Sequence, residues 1–519
     1  MHGSRLFRRA TCATRQRPVA GGRFAADRSL RRAPRLWRAC LLAAALAPPA
    51  VGLEPCRIDV VDQATGWPVP LVALETTHGV RFVSDNRGVI AFDLPELMHE
   101  PTWFAVEGHG YGVPADGSGY RGVQLTPTPG GRLTVAVARQ LPARRLGRLT
   151  GGGLFAEAQR FGLDADWRES RILGCDSVQT AVCGDQRLWL WGDATLARHP
   201  LGLFHMTGAL TAPRPLSAFE PPLRLDYDYL VEPQGRPRVV APMPGPGPTW
   251  LTGLASLPDA TGRPRLGAYY YKITPPLTPY ETGLCVWNEE LATFEHLATL
   301  WSKSATSPEA PPGPTGHAVP WTDPEGNAWV LFGDGFPHLQ CAPRFEAWRD
   351  PAAWRLATPQ RDAERRGGGR VAVHRASIGY SGYRRRWVAI FNQSWGAASA
   401  FGEVWYAESD QPWGPWGNAV QVATHPGYTF YNPRLHVDLT PPESPLLLFE
   451  GTFANAFSGT QAKMPRFDYN QVLYRLDLDD LPAADDPAPT EPAGPGTDPP
   501  PTEPAEPGTD PPLTEPAGP

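Results

Sequence analysis

Past its arginine-rich start, the chain has no long run rich in Ala, Leu, Glu and Lys and no stretch approaching the roughly 20 apolar residues that a membrane-crossing helix needs. Neither a helical bundle nor a membrane-crossing helix is therefore expected. Positive charge is not in surplus either: Lys and Arg number 48 against 53 Asp and Glu, a formal net charge of −5. A nucleic-acid binder usually shows a basic face, so neutral polymers or small molecules are the expected partners. Cysteine is scarce, with seven residues in all, and no two of them show the CxxC spacing of a zinc or redox site. Five remain outside the leader, Cys56, Cys175, Cys183, Cys285 and Cys341. They read as buried thiols with one disulfide at most, and Cys175 and Cys183 flank a single strand. There is also no Gly-rich phosphate loop, no His-Glu-x-x-His and no nucleophile elbow. Gly151-Gly152-Gly153 lacks the following Lys-Ser/Thr of a P-loop and reads as a hinge. No ligand loop for calcium is visible, so no cofactor is expected, a channel-bound calcium being the one candidate.

What the chain does have is tryptophan (18 residues) and proline (61) in abundance, a composition that suits short strands joined by turns. It opens on arginines through Arg38, an apolar run from Ala39 to Pro48 and small residues Ala50 and Gly52, the pattern of an export signal over residues 1–52. Mature protein starting near Leu53 follows, soluble and secreted or displayed at the cell surface, with no stable membrane insertion after signal removal. Leu53-Glu54-Pro55-Cys56 lacks the small residues of a lipobox.

Residues 53–140 alternate as strands, among them Arg57-Ile58-Asp59-Val60-Val61, Leu71-Val72-Ala73-Leu74-Glu75 and Trp103-Phe104-Ala105-Val106-Glu107, separated by turns such as Asp85-Asn86-Arg87-Gly88. This predicts a small antiparallel β-sandwich. Its order of Val-Val-Asp, Thr-Gly-x-Pro-Val-Pro and Ser-Asp-Asn-Arg-Gly-Val resembles carboxypeptidase-regulatory or transthyretin-like modules, which implies a spacer or adhesion unit. Residues 141–151 read as a linker.

From residue 152 to 480 an aromatic-rich strand pair recurs. Its members are Asp176–Val182 with Leu188–Asp193, Thr252–Ser256 with Leu266–Tyr271, Gly316–Trp321 with Ala328–Asp334, Ala376–Tyr380 with Trp387–Phe391, and Asn432–His436 with Pro445–Glu450. Each unit starts on a small or polar strand and continues into a bulky one, as propeller blades do around an axis, and the count predicts five blades. The proline-rich stretch from Leu223 to Gly247 is where a further blade could hide. Residues 481–519 repeat Thr-Glu-Pro-Ala with little to bury, and are expected to be a disordered acidic tail.

In a propeller, polar residues that open inner strands line one mouth of the axial channel. Asp176 opens the first, and Asp193 ends the strand that pairs with it. Two carboxyl groups flanking a glycosidic bond suffice for hydrolysis, whereas an Asp in either place also serves as an ordinary turn residue. The run Asp176-Ser177-Val178-Gln179-Thr180-Ala181, Leu188-Trp189-Leu190-Trp191-Gly192-Asp193-Ala194-Thr195 and His199 to His205 resembles the first blade of glycoside hydrolase family 183, the endo-acting D-arabinanases. More distantly it is similar to the five-bladed hydrolases of family 43. The resemblance implies that Asp176 and Asp193 are a catalytic pair acting with inversion. Around them, His317, Asn432, Arg434, Glu281, Glu403 and Glu450 are candidate substrate-binding residues, and Asp334 repeats the Gly-Asp strand end. Trp395 and Tyr428 are candidate stacking platforms. The expectation is a monomeric hydrolase of an extracellular polysaccharide or oligosaccharide. The alternatives are a non-catalytic propeller that binds glycan or protein, and a polysaccharide lyase using a His or Tyr base beside Arg434.

Overall fold

The computed structural model describes residues 53–167, 171–275, 277–460 and 462–483. The leader and nearly all of the expected tail lie outside that range. Among the described residues no helix is long and apolar enough to cross a membrane.

Two four-stranded sheets form the N-terminal module. One runs in the order Val89–Phe92, Cys56–Asp62, Arg132–Arg139, Tyr111–Gly112, and the other Arg81–Val83, Ala73–Thr76, Thr102–Glu107, Gly122–Leu125. Alternate residues of facing strands, such as Ile58, Val60, Leu74, Ile90, Phe104 and Val135, meet in one buried core, the period-two consequence of pleating. One pair departs from the antiparallel expectation: Cys56–Asp62 and Arg132–Arg139 run parallel. The chain visits the second sheet between them and returns in the direction in which it started.

Five antiparallel sheets of four or five strands follow in the expected order, and a three-stranded sheet of Ile172–Cys175, Ala194–Leu196 and His199–Leu203 accompanies the first. Their inner strands are Gln179–Cys183, Thr249–Pro258, Val319–Thr322, Arg370–Ser381 and Thr429–Leu435. The stretch around Leu223 to Gly247 adds only the short outer strand Asp228–Tyr229 of the first blade, so no sixth blade exists there. Alternation in the second strands makes the ring. In Leu188-Trp189-Leu190-Trp191 the leucines enter a core with Ala268 and Tyr270 of the second blade. The tryptophans enter another with Leu448 and Leu473 of the fifth. The same rule joins second to third through Tyr269 and Phe332, third to fourth through Leu331 and Ala389, and fourth to fifth through Ile390 and Phe449. Five interfaces joining five sheets in a cycle make a five-bladed β-propeller. Each buried Leu, Ile or Phe contributes roughly 1.5–3 kcal/mol.

The segment expected as a linker, residues 141–151, is corrected. Arg144–Arg148 is a strand, antiparallel to Asn470–Asp477, and completes the fifth blade from the N-terminal side. It closes the ring by hydrogen bonds, where an open edge would otherwise remain. Arg145 anchors it, donating to the carbonyls of Pro70, Leu71, Gly108 and His109 at 2.9, 3.1, 2.7 and 3.0 Å. No two of the five described cysteines form a disulfide with each other.

Candidate active site at the propeller mouth

The inner strands share a defect near their first residues. Their registers shift between Thr252 and Ala255, Val373 and Arg375, and Tyr431 and Arg434. Ser177, Gly253, Gly316 and Asn432 adopt left-handed backbone with φ of 48°, 62°, 77° and 50°. Such bulges re-aim side chains at sheet ends, here at the mouth where inner strands begin and second strands end.

In the first blade the ladder is interrupted between Cys175 and Gln179, and Asp176 occupies the gap. Its backbone is tied to its neighbour strand by Gly192 N–H to Asp176 O at 2.8 Å and Asp176 N–H to Asp193 O at 3.2 Å. Its carboxylate accepts the backbone N–H of Asp193 at 2.9 Å and the hydroxyl of Tyr431 at 3.1 Å, with Tyr469 as a further donor. Gly192 makes this seat: a Cβ there would lie 2.2 Å from Asp176 Oδ1. Asp193 is 9% exposed and accepts the indole N–H of Trp250 at 3.1 Å.

The two carboxyls live in different surroundings. Burial raises the pKa of Asp176, but Tyr469, Tyr431 and the Asp193 N–H oppose the rise by bonding to its ionised form. Burial raises Asp193 too, and the Asp176 charge raises it further against a single opposing donor, Trp250. The pair therefore titrates as a unit, with the proton favouring Asp193 and the charge favouring Asp176. One neighbouring acid and one neighbouring base result, the arrangement that general acid–base chemistry needs.

Aromatic rings continue around the same end. Trp250 meets Phe204 at 5.8 Å, Tyr431 meets Phe457 at 6.0 Å, and Phe401 meets Trp395 at 5.3 Å. Trp395 and Phe457 are 67% and 41% exposed, open faces of the kind that sugar rings stack on. On the third and fourth blades Arg375 pairs with Asp334 at 3.4 Å, and His374 stacks on Phe401 at 4.0 Å. Burial, then the Arg375 charge, pulls His374 down to about 4.

The other expected residues separate into groups. Asn432 lies next to the pair, donating to Ser177 Oγ at 2.6 Å, and so holds the residue that follows Asp176. His317 and Arg434 lie together: burial, then the charges of Arg434 and His436, keeps His317 neutral. Arg434 is lowered by burial and sits among Asp438, Arg187 and Glu450. The remaining three bond elsewhere. Glu450 is wholly buried and bonded to His436 at 2.8 Å, because its strand points it into the ring rather than out of the mouth. Glu403 is 5% exposed and bonded to Gln421 and, at 3.1 Å, to Thr424. Glu281 sits on the third strand of its blade and accepts the Tyr270 hydroxyl at 2.9 Å. Tyr428, expected as an open platform, is 4% exposed and packs on Phe453 at 5.0 Å. Trp250, Tyr431 and Tyr469 join the pair without having been expected. Trp250 had a signal, since it opens the second inner strand as Asp176 opens the first; Tyr469 lies in a loop and had none. Among the described residues no group of three or more His, Cys, Asp or Glu is placed to hold a metal ion.

No protein-family model matches the chain, and no curated protein matches it. Solved structures are similar to it at low identity. One is an exo-1,5-α-L-arabinanase from a bovine ruminal metagenomic library, 11% identical over 58% of this chain and 92% of that one, with a TM-score of 0.35. Another is a family 43 enzyme from Xanthomonas citri in complex with xylose, 10% identical over 60% of this chain and 90% of that one, TM-score 0.33. A third is a family 43 glycoside hydrolase from Bacillus licheniformis, 11% identical over 57% of this chain and 70% of that one, TM-score 0.33. At this level of similarity only the residues of the mouth can carry a statement about chemistry.

Proposed function

We propose that this protein is a secreted glycoside hydrolase that cleaves an extracellular, furanose-containing polysaccharide with inversion of configuration. The observation that carries the proposal is the unequal environment of Asp176 and Asp193, adjacent acids of which one accepts from Tyr431, Tyr469 and a backbone N–H while the other has the Trp250 indole as its donor. Asp193 would protonate the glycosidic oxygen as its bond to the anomeric carbon breaks. Asp176 would take a proton from the water that forms the new bond on the opposite face. The water ends as the hydroxyl of the new reducing end, so atoms and charge balance. Trp250, Trp395 and Phe457 suit a polymer that lies across the mouth, and the first blade's resemblance to family 183 favours an arabinose-type ring.

Release of reducing ends from a polysaccharide panel, with the anomer of the first product followed by NMR, tests the proposal. Wild type is expected to release an inverted anomer, and Asp176→Asn to lose at least about a thousandfold in rate, since both base and charge vanish. Retained hydrolysis in Asp176→Asn, or a retained anomer, refutes the assignment. A wild type that binds glycan without cleaving any would instead establish the propeller as a binding module.

A further inference from the structure

We propose that a second glycan site lies on the face opposite the mouth, in a groove between the third and fourth blades that binds an uncharged polysaccharide. The groove has a volume of about 560 Å³, within the range of ligand clefts. Its walls come from the far ends of the blades. Trp321 closes the third inner strand and Trp329 opens the strand paired with it. Tyr380 and Trp387 hold the same positions in the fourth blade. Asp176 and Asp193 lie at the other end of their strands, so this groove is no part of the mouth.

Of the four aromatic side chains, Trp387 belongs to the core between the two blades, Trp321 and Trp329 line the groove while packing against that core, and Tyr380 stands clear of it. Tyr380 is 51% exposed although it stands on a strand whose neighbouring residues are largely buried, and its ring meets Trp387 edge-on at 5.8 Å. Trp329 is fixed from behind by Arg355, 4.4 Å from its ring. Its indole N–H donates to Asp323 at 2.9 Å, and the Asn327 amide donates to the same carboxylate, also at 2.9 Å. Asp410, 79% exposed, and Gln411 stand on the other wall. Rigid aromatic faces beside carboxylate and amide acceptors match a polyhydroxylated ring, which stacks its C–H face and donates its hydroxyls.

Charge selects the occupant. The lining carries the carboxylates of Asp323 and Asp410, the latter paired with Arg386 at 2.7 Å, and no Lys, Arg or His of its own, so acidic polymers, phosphopeptides and nucleic acids find no basic wall to pair with. The chain's own proline-rich end finds none either. That segment leaves the fourth blade at Ala483, held by Arg366 at 2.9 Å. Its repeats carry Glu491, Asp498, Glu503, Glu506, Asp510 and Glu515 with no compensating base. A neutral glycan keeps the stacking and needs no basic wall. Bound there, a long polymer would be tethered while another part of it crosses the mouth.

Affinity electrophoresis of the full chain in gels containing an arabinan, a galactan, a xylan, a glucan or a mannan tests this, in an Asp176→Asn background so that cleavage does not remove the probe. At least one polymer is expected to retard the parent. Tyr380→Ala is expected to weaken that retardation about tenfold, the worth of one stacking platform, and Tyr380→Trp to restore it, each with unchanged thermal unfolding. Separately, Tyr380→Ala on the wild-type background should cleave a short soluble oligosaccharide at the parental rate. Equal retardation of Tyr380→Ala and parent, or no retardation of either, overturns the groove while leaving the hydrolase proposal standing on its own assay. Groove-dependent retardation by a chain that cleaves nothing supports the groove and defeats the hydrolase. Photo-crosslinking from position 380 that captures the segment beyond Ala483 rather than glycan also overturns it.

Discussion

Asp193 is kept in a state that costs the fold stability. Its carboxyl is 9% exposed, with one donor and a like charge beside it. Its folded pKa lies above the unfolded one, so the unfolded chain releases its proton first. Stability from this group is full at acidic pH and is lost as pH rises through the folded pKa. Asp193→Asn keeps the acceptor for Trp250 and removes the charge. The variant is expected to melt within error of wild type near about pH 4 and to be about 1–3 kcal/mol more stable near about pH 8, with hydrolysis abolished at both. Thermal scans across that range check it, and a variant less stable at the higher pH contradicts the protonation assignment. Gly192 makes a companion case. Alanine there drives Asp176 off its seat, and kcat should fall about a hundredfold with the melting temperature nearly unchanged, as misplacement by about 1 Å does elsewhere. That the two aspartates would meet was legible in the sequence because one opens an inner strand and the other ends a Gly-Asp hairpin partner. Tyr469 was not, because it meets Asp176 only once the fifth blade has come round to the first.

The strands themselves were legible for a simple reason: period-two alternation of bulky and small residues is imposed by the need of each sheet to feed two interfaces. The closing strand escaped that logic. Arg144-Arg145-Leu146-Gly147-Arg148 offers one apolar side chain and a glycine at φ 147°, a pattern indistinguishable from a polar connector. Its burial depends on partners far away, the carbonyls that take up Arg145. Arg145→Ala leaves four buried carbonyls without a donor and is expected to destabilise the chain by about 3–5 kcal/mol, read as a shift in the denaturant midpoint. Arg145→Lys should recover only part, since one ammonium cannot reach all four acceptors. A loss under about 1 kcal/mol in the alanine variant would mean that the strand is held by its ladder alone.

For the whole molecule, closure couples the sandwich to the ring. The strand Arg144–Arg148 pairs with the last strand of the last blade, and Leu146 and Leu149 lie in the core shared by the fifth and first blades. Without that strand, Asn470–Asp477 becomes a free edge and the fifth-to-first core opens, the condition under which sheets pair with other chains. Two truncations separate the contributions. A chain that starts at Leu141 keeps the closing strand but strips Arg145 of its acceptors in the sandwich. It should remain monomeric with a lowered midpoint. A chain that starts at Gly152 loses the strand as well, and should aggregate or elute as higher oligomers. Size-exclusion chromatography with circular dichroism distinguishes them, and the two truncations behaving alike would show that the ring closes through side-chain packing without the strand. In the intact chain the Arg145 bonds also predict that sandwich and propeller melt in one calorimetric transition, since unfolding the sandwich strips the closing strand of its anchor.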